Sequence, residues 1–310
     1  MIKIMDKIDL HIHSTYSSDG ELEVLQVVGA CVENRVNTFS ITDHNSVRGT
    51  REAIEIARER ALDFIPGIEI DCVFNGVDLH VLGFGVDWQS RDFEELEKDI
   101  SRKVMDSFSG MIDNLDRLGI KVDAGEVLNK AGEKLPTGEL IAEVLLGDKK
   151  YECPGLLPYQ AGGARGDMPY LNFYHDFFSQ GKPAYVKIDY MEYKDVIELI
   201  MDNGGIPVIA HPGLNLKGKE ELVEKLLDRG ACGMEVFNNY HDERQMDYFA
   251  RVVQQRNLLM TGGSDFHGKT KPLIRIGEYK RDERYMEYLQ DSVLKLKRLV
   301  VTSVNLDSRE

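Results

Sequence analysis

The stretch Ile8-Asp9-Leu10-His11-Ile12-His13-Ser14, which continues to Ser18-Asp19-Gly20, places two histidines at the end of an apolar run. Side chains alternate between the two faces of a strand, so we expect His11 and His13 to point the same way and Ile12 to point into the opposite layer. Two imidazoles on one face supply half of a metal site. Two surface histidines on an edge strand explain this stretch equally well, so the other six histidines decide between these interpretations.

The composition is that of an ordinary globular protein. The chain has 310 residues, 42% hydrophobic and 29% charged, which suits one large α/β domain or two smaller ones. Its formal net charge of −15 disfavours binding to a long phosphate backbone. A small phosphorylated ligand remains compatible with that charge, because bound divalent cations reverse the local sign.

The cysteines and the apolar segments indicate the compartment. The four cysteines form no Cys-x-x-Cys pair, so neither a zinc ribbon nor a disulfide framework is predicted. No signal peptide is visible, and no apolar stretch is long enough to span a bilayer. We therefore expect a cytoplasmic protein that does not enter a membrane.

Strand-like and helix-like segments alternate over most of the chain, and the strands end in side chains that can bind metals. Such ends are predicted near His13, His44, His211, Phe237-Asn238 and His267. Function collects at the carboxyl ends of strands in parallel α/β folds. Together with a hairpin histidine, six of the eight histidines occupy such positions, which predicts a multinuclear metal site. The remaining two, His175 and His241, are expected to have surface or packing roles.

A β-hairpin is predicted around Asn75-Gly76, because this dipeptide lies between two apolar runs. With a two-residue loop, Asp71 faces His80, and Glu69 is a diagonal neighbour of His80 on the same face. A carboxylate and an imidazole within reach of each other again favour metal binding. A solvated polar face is the alternative, and the apolar surroundings weaken it.

The alternation is interrupted between residues 90 and 182. Helices are predicted over 92–118, 124–131, 137–146 and 170–179, with a segment rich in Gly and Pro over 153–169. The strand rhythm resumes at residues 184–188. We therefore predict a mostly helical domain at 90–182, inserted between two parts of another domain at 1–89 and 183–310. The end of the chain, 281–310, is predicted to be a charged helix and a short tail.

The ligand types narrow the choice of metal. Imidazoles with carboxylates and no thiolates suit Zn, Mn or Fe(II), and are poor for Mg or Ca alone. Several such ions a few ångströms apart would clamp a phosphate and lower the pKa of a bridging water, which gives a hydroxide nucleophile at neutral pH. Hydrolysis is therefore favoured over redox chemistry. The sequence also lacks a Rossmann glycine fingerprint, a P-loop and a Gly-x-Ser-x-Gly elbow.

Ordered motifs run from Asp9 to His267. They are His11-x-His13-Ser14 with Ser18-Asp19-Gly20, Thr42-Asp43-His44, Pro66-Gly67-Ile68-Glu69, His80-Val81-Leu82-Gly83, His211-Pro212 and Ser264-Asp265-Phe266-His267. Together they resemble the motifs of the PHP (polymerase and histidinol phosphatase) family. The resemblance implies an α/β fold, an irregular, TIM-like (β/α)7 barrel with a trinuclear metal site at the carboxyl ends of its strands. The most similar branch carries a mostly helical insertion that covers the site.

The resemblance also implies the metal ligands, and each position has a fitting residue type. The first ion would take His11, His13, Glu69 and Asp265; the second would take Asp19, His44 and His267; the third would share Glu69 and add His80 and His211. The spacing from the second histidine to Asp19 is often one residue shorter in the family. Of the nearby carboxylates, Asp43 is expected to orient or cap near His44, and Asp71 has no family role to transfer.

The implied activity is that of a phosphoesterase that uses two or three Mn, Fe or Zn ions. A metal-activated hydroxide would attack phosphorus, and Asp265 or a nearby histidine such as His267 would move the proton. An arginine that often follows the His-Pro motif in similar proteins is missing here. Lys217 and Arg165 are therefore the candidate phosphate-binding residues, although a plain surface role is at least as good for Arg165.

The expected substrate is a small phosphomonoester, for example a nucleoside 3′,5′-bisphosphate, and neither a membrane nor a long nucleic acid is an expected partner. An exonuclease acting on short RNA or DNA ends is the main alternative, favoured if Tyr159, Tyr170 and Phe173 are exposed at the rim of a wide cleft. An amidohydrolase would need a carboxylated lysine at a strand end, and none is so placed. A non-catalytic domain stabilised by metal is disfavoured by the complete ligand set.

Overall fold

The computed structural model describes residues 7–307, with side chains described as far as residue 300. The residues at 1–6, and the end of the predicted tail at 308–310, lie outside the described residues. The strands are β1 (Lys7–Ile12), β2 (Val36–Ile41), β3 (Asp63–Phe64), β4 (Gly67–Phe74), β5 (Val77–Phe84), β6 (Met191–Glu192), β7 (Ile206–Ile209), β8 (Gly233–Phe237) and β9 (Leu259–Gly262).

The α-helices make up most of the other regular structure in the described residues. They are α1 (Val24–Glu33), α2 (Thr50–Glu59), α3 (Arg91–Arg117), α4 (Ala124–Ala131), α5 (Gly138–Gly147), α6 (Pro169–Phe177), α7 (Tyr193–Asp202), α8 (Pro212–Asn215), α9 (Leu222–Leu227), α10 (Glu243–Gln255) and α11 (Met286–Asp307). Within residues 7–307, none of these helices combines the length and the apolar character that a membrane crossing requires.

The strands form two sheets in a mixed α/β fold. The first is parallel, in the order β1-β2-β3, and the second has the order β6-β4-β5-β7-β8-β9. Single bridges, between Ile12 and Phe266 and between His44 and Glu69, join the two sheets. Within the described residues the ladders therefore do not close into one continuous hydrogen-bonded barrel. Both bridges involve residues of the sequence motifs, so the sheets meet where those motifs lie.

The hairpin register is confirmed. Strands β4 and β5 are antiparallel around Asn75-Gly76, with Asp71 paired to His80. Asn75 and Gly76 both have positive φ, 51° and 74°, which a two-residue hairpin loop with the twist of the strands requires. Glu69, Asp71 and His80 therefore share one face of the hairpin.

The larger apolar core lies between the six-stranded sheet and the helices that pack on it. Strand β8 lies between β7 and β9 and is buried on both faces, as expected of a central parallel strand. Helix α10 contributes Met246, Phe249 and Val253 at intervals of three and four residues, and its Asp242 N-cap accepts a hydrogen bond from the Gln245 amide. These elements hold β7, β8 and β9 side by side, so the residues that follow them converge.

Asp9 fastens β1 to the residues that follow β9. Its buried carboxylate accepts hydrogen bonds from the amides of Ser264, at 2.9 Å, and Gly277, at 2.6 Å. Burial raises the pKa of Asp9 to about 6, although these hydrogen bonds act against the shift. This carboxylate therefore has a structural role beside the first histidine motif.

The helical segment has an apolar core of its own. The buried residues include Phe108, Leu115, Ile141 and Phe173, which come from α3, α5 and α6. The observed helices agree with the predicted ones within one or two residues at most ends. The strand predicted over 184–188 is wrong, because this stretch joins no sheet. Ala184 packs into the helical core instead, which takes the chain away from the sheets.

Candidate metal centre

A cavity of about 1400 Å³ lies between the strand ends and the helical segment. His44, His80 and His211 line it from the strands, and Glu139 and Tyr174 line it from the helices. The histidines follow β2 and β7 or stand on the hairpin. The strand ends therefore open into a cleft that can hold a small molecule.

The first histidine motif and the Asp265 motif are aligned by backbone hydrogen bonds. The His13 amide donates to the Phe266 carbonyl at 2.9 Å, and the Asp265 amide donates to the His11 carbonyl at 2.8 Å. Asp265 has a φ of 58°, an uncommon conformation for a residue with a side chain, of the kind that collects at functional sites. The two motifs thus turn their side chains toward the same point.

The predicted first ligand set is brought together. His11 Nε2 lies 3.1 Å from Glu69 Oε2 and 3.4 Å from Asp265 Oδ1. His13 Nε2 lies 3.2 Å and 3.3 Å from the same two oxygens. Ligand atoms of a tetrahedral ion, with bonds of about 2.0–2.2 Å, are separated by about 3.3–3.6 Å. The four buried side chains therefore have the spacing that an ion at their centre would require.

The predicted second set is also brought together, and His13 joins it. Ligand atoms of His13, Asp19, His44 and His267 all lie within 4.8 Å of one another. Asp19 Oδ2 lies 3.1 Å from His267 Nε2 and 3.9 Å from His44 Nε2. The rings of His13 and His267 are stacked, with centroids 3.8 Å apart. His13 therefore stands between two clusters, whereas the sequence analysis assigned it to one.

The predicted third set surrounds the other oxygen of Glu69. Glu69 Oε1 lies 3.0 Å from His80 Nδ1 and 2.9 Å from His211 Nε2. His44 Nδ1 lies 3.5 Å from Glu69 Oε2 and extends this group. Glu69 thus contacts histidines of all three groups, as a bridging carboxylate would.

Orphaned polar atoms and charge both fit a metal centre. Among the described side chains, His13 Nε2, His44 Nδ1 and His267 Nε2 are buried and have no hydrogen-bond partner. Buried polar nitrogens are normally paired, so the missing partner at each of these three fits a ligand role toward an ion. Burial lowers the pKa of His267 to about 4, although Asp19 opposes the shift, which keeps this imidazole neutral at pH 7.

The carboxylates of the site are ionised. Burial alone would raise the pKa of Glu69, but His11, His44 and His80 hold it well below its usual range. Burial would also raise the pKa of Asp265, but Lys271, His11 and His267 hold it well below its usual range. Anionic oxygens beside unpaired imidazole nitrogens are the donor set that Zn, Mn and Fe(II) prefer.

Glu235 is a site residue that the sequence analysis missed. Its buried carboxylate lies 3.2 Å from His11 Nδ1 and accepts a hydrogen bond from the His211 amide at 2.8 Å. A carboxylate on the outer nitrogen of a metal-binding histidine fixes its tautomer and its orientation. A signal was present, because Glu235 is the one charged residue within the apolar strand β8.

Two aspartates that were left outside the ligand set differ in their contacts. Asp71 Oδ1 lies 3.2 Å from His80 Nε2 and 3.4 Å from His44 Nδ1, so its carboxylate stands beside two predicted ligands. Asp43 was expected to act beside His44. Instead it accepts hydrogen bonds from the amide and hydroxyl of Ser14, at 2.6 Å and 2.7 Å, and so holds the turn after the first motif.

The two predicted phosphate-binding residues are not brought to the cavity. Arg165 donates through Nε and Nη2 to Asp176, at 2.9 Å and 3.1 Å, which holds the guanidinium within the helical segment. Lys217 is exposed beyond α8. Within the described part of the chain, the lysines and the arginine that line the cavity are Arg48, Lys98, Lys134 and Lys271.

Lys271 is the cation buried beside the clusters. It is 6% exposed, and its Nζ lies 2.5 Å from Asp265 Oδ2 and 5.3 Å from the ring centroid of Tyr240. The Tyr240 hydroxyl donates to the same oxygen at 2.8 Å. Lys271 follows the last histidine of the motif by four residues, a proximity that the sequence analysis did not use.

The other predicted positions lie apart from the clusters. Tyr159 and Phe173 are buried in the helical core and Tyr170 is partly buried against it, so they do not form an exposed aromatic rim. His241 is buried, with Nδ1 donating to the Val236 carbonyl at 2.8 Å, which agrees with a packing role. His175, for which the same was expected, lines the cavity.

Comparison with known proteins gives one family. The family model described as a PHP domain matches residues 9–231. A protein of Chromobacterium violaceum named 3′,5′-nucleoside bisphosphate phosphatase is 26% identical, over 92% of this chain and 93% of its own length. A 5′-3′ exoribonuclease of Haemophilus influenzae is 30% identical, over 84% of this chain and 90% of its own.

The fold is shared with a solved structure from Bifidobacterium adolescentis, whose description suggests a metal-dependent phosphoesterase. The two superpose with a TM-score of 0.75 at 24% identity, over 95% of this chain and 96% of the other.

Proposed function

Because the chain belongs to the PHP domain family, we propose that it is a metal-dependent phosphoesterase that hydrolyses a small phosphomonoester, such as a nucleoside 3′,5′-bisphosphate. The observation that carries this proposal is the convergence of three histidine and carboxylate groups on Glu69 at the base of the cavity. The named activities of the relatives, a phosphatase and an exoribonuclease, both break phosphate ester bonds.

We propose that two or three Mn, Fe or Zn ions occupy these groups. The first would be held by His11, His13, Glu69 and Asp265; the second by Asp19, His44 and His267, with His13 beside them; the third by Glu69, His80 and His211. Bound divalent ions supply Lewis acidity toward phosphoryl oxygens and lower the pKa of water. The orphaned nitrogens and the ionised carboxylates support this assignment.

Lys271 is proposed to replace the missing arginine of the His-Pro motif. Its ammonium is buried on the cavity wall and is held by Asp265 and by the Tyr240 ring. A fixed cation beside the site can attract and orient a phosphoryl oxygen without the bidentate geometry of arginine. Burial would lower the pKa of Lys271, but Asp265 and Tyr240 hold it above its usual range, so the side chain is charged.

Asp265 and His267 remain the predicted proton carriers. Asp265 Oδ2 accepts hydrogen bonds from Lys271 and from Tyr240, which stabilise the ionised carboxylate and fix its orientation beside the clusters. His267 Nδ1 lies 3.0 Å from the Asp265 carbonyl, so its Nε2 is the nitrogen that faces the cluster.

The architecture that we propose is an irregular (β/α)7 barrel with a helical domain at residues 90–182 inserted between 1–89 and 183–310. The two bridges between the sheets support the barrel, because they continue its order from β9 to β1 and from β2 to β4. The separate apolar core of the helical segment supports the insertion. In this arrangement the inserted domain forms the roof of the cavity.

An exonuclease that acts on short RNA ends is the second candidate. The cavity of about 1400 Å³ exceeds the range of about 300–1,000 Å³ that is usual for a single small ligand. It can therefore admit more than one nucleotide. The net charge of −15 still disfavours a long chain.

The test measures bound metal and products together. The purified protein, loaded with Mn, is assayed with a nucleoside 3′,5′-bisphosphate, a sugar phosphate, histidinol phosphate and a 5′-phosphorylated oligoribonucleotide, with Glu69→Gln as the inactive control. Release of inorganic phosphate from one small compound is expected. Release of mononucleotides from the oligoribonucleotide alone would favour the exonuclease. Bound ions with no product from any phosphate ester would refute the phosphoesterase.

A further inference from the structure

The loop that carries Asp19, defined here as residues 17–20, is contacted from the helical segment. Residues 132–137 connect α4 to α5 and lie above this loop. Lys134 Nζ donates to the Gly20 carbonyl at 2.7 Å and to the Ser17 carbonyl at 3.3 Å. The Leu135 amide donates to Ser18 Oγ at 3.4 Å. The two carbonyls lie on either side of Asp19, so these bonds bracket the carboxylate along the chain.

The strand side of the molecule holds the same loop by other bonds. Ser17 Oγ donates to Asp19 Oδ1 at 2.7 Å, and Thr270 Oγ1 donates to the Asp19 carbonyl at 2.9 Å. These contacts leave Asp19 Oδ2 facing His267 Nε2 at 3.1 Å. The position of Asp19 Oδ2 therefore depends on a loop that belongs to no helix or strand. Hydrogen bonds hold this loop both from the strand side and from the helical domain.

Lys134 is suited to hold such a loop. It is partly buried, and both of its hydrogen bonds run to carbonyl oxygens of the Asp19 loop. Burying an ammonium group costs free energy unless hydrogen-bond acceptors surround it. The Lys134 ammonium and the carbonyl oxygens of the loop therefore hold each other in place. Loops without such bonds are among the least stable parts of a fold.

We propose that Lys134 is a positioning residue through which the helical domain completes the metal cluster of His13, Asp19, His44 and His267. The inference rests on the metal centre of the proposed function. The first cluster depends on this loop through one contact, of 3.3 Å between His13 Nδ1 and Ser17 Oγ, since its ligands lie on β1 or directly after it, on β4 and after β9. One ion is therefore retained mainly by the strands, while the ion at Asp19 depends on the docked helical domain.

The experiment measures how tightly each ion is retained, without substrate. The Mn-loaded holoprotein and its Lys134→Met variant are dialysed against increasing concentrations of a chelator, and Mn per chain is measured by plasma mass spectrometry. Lys130→Met is the matched control, because Lys130 lies on the same segment but is exposed and pairs with Glu143 at 3.1 Å. Loss of an outer contact to a ligand typically weakens an ion about 10-fold to 100-fold.

Lys134→Met is expected to lose one ion at about 10-fold to 100-fold lower chelator concentration, with the other ions retained as in the wild type. Lys134→Arg is expected to restore retention, since a guanidinium can donate to two carbonyls. If Lys134→Met does not fold, Ser18→Ala removes only the bond from Leu135 and should weaken the same ion by a smaller factor.

Three outcomes would overturn the proposal. Lys134→Met could retain every ion as tightly as the wild type, it could lose all ions at the same chelator concentration, or it could raise KM with unchanged ion retention. The last result would make Lys134 a substrate contact. A wild-type protein that binds its ions but cleaves no phosphate ester would contradict the proposed function alone, because the retention measurement needs no turnover.

Discussion

Replacing Glu235 by glutamine tests whether the buried carboxylate behind His11 sustains the metal centre. Glu235 accepts from two directions, with His11 Nδ1 at 3.2 Å from Oε1 and the His211 amide nitrogen at 2.8 Å from Oε2. Glutamine has the same shape but only one accepting oxygen. In one orientation, the NH2 group of the glutamine faces the His211 amide, which is also a donor. In the other orientation, it faces His11 Nδ1, and this nitrogen can accept only if the His11 proton moves to Nε2, the nitrogen that faces the ion.

The size of the effect follows from the number of bonds lost. One buried donor is left unpaired, and such a loss costs about 1–3 kcal/mol. That range corresponds to an affinity for the ion that is lower by about 5-fold to 150-fold. Any part of this cost that the folded apoprotein already bears lowers its unfolding free energy instead and cancels from the affinity for the ion.

The assay is competition between the protein and a chelator of known affinity, with Mn at pH 7, supported by denaturant unfolding of the metal-free protein. Glu95→Gln on the exposed side of α3 makes the same chemical change without buried contacts and should match the wild type in both measurements. A Glu235→Gln protein that binds Mn as tightly as the wild type would refute the argument, because the carboxylate would then have no influence on His11.

Three further predictions concern other parts of the cavity. Glu69→Gln should lose at least one ion per chain and all measurable hydrolysis, because Glu69 contacts histidines of every group; a variant with full metal content would contradict this. At saturating Mn, Lys271→Met should raise KM by about 10-fold to 100-fold, whereas Lys217→Met, which changes an exposed lysine, should leave KM as it is. The pKa of His175 is lowered to about 4, mainly by burial, so the folded state disfavours its proton. The stability that the neutral side chain contributes is therefore fully present above about pH 6.5 and is lost as the pH falls toward 4. When the metal is removed with a chelator, the unfolding free energy of His175→Phe, measured with a denaturant, should therefore fall less steeply between those pH values than that of the wild type. Equal slopes would disprove this.

Several features of the molecule follow from local sequence. The hairpin at Asn75-Gly76 has the predicted register, because its two loop residues adopt the backbone conformation that this turn requires. The helices of the helical segment lie close to their predicted bounds, because apolar spacing and caps such as Thr137 act within a few residues. The recurrence of histidines at strand ends pointed to the site, because strand ends in one sheet are neighbours whatever the details of packing.

Contacts between distant segments were decided by the tertiary structure. No local pattern brings Glu235 behind His11, since this pair depends on how the strands are ordered. The sequence made Arg165 a candidate for binding phosphate, but in the structure its guanidinium pairs with Asp176 on α6. Local sequence thus determined which residues could form a metal centre, while packing selected the partners, because hydrogen bonds and ion pairs act over a few ångströms and the chain brings those groups together only when it folds.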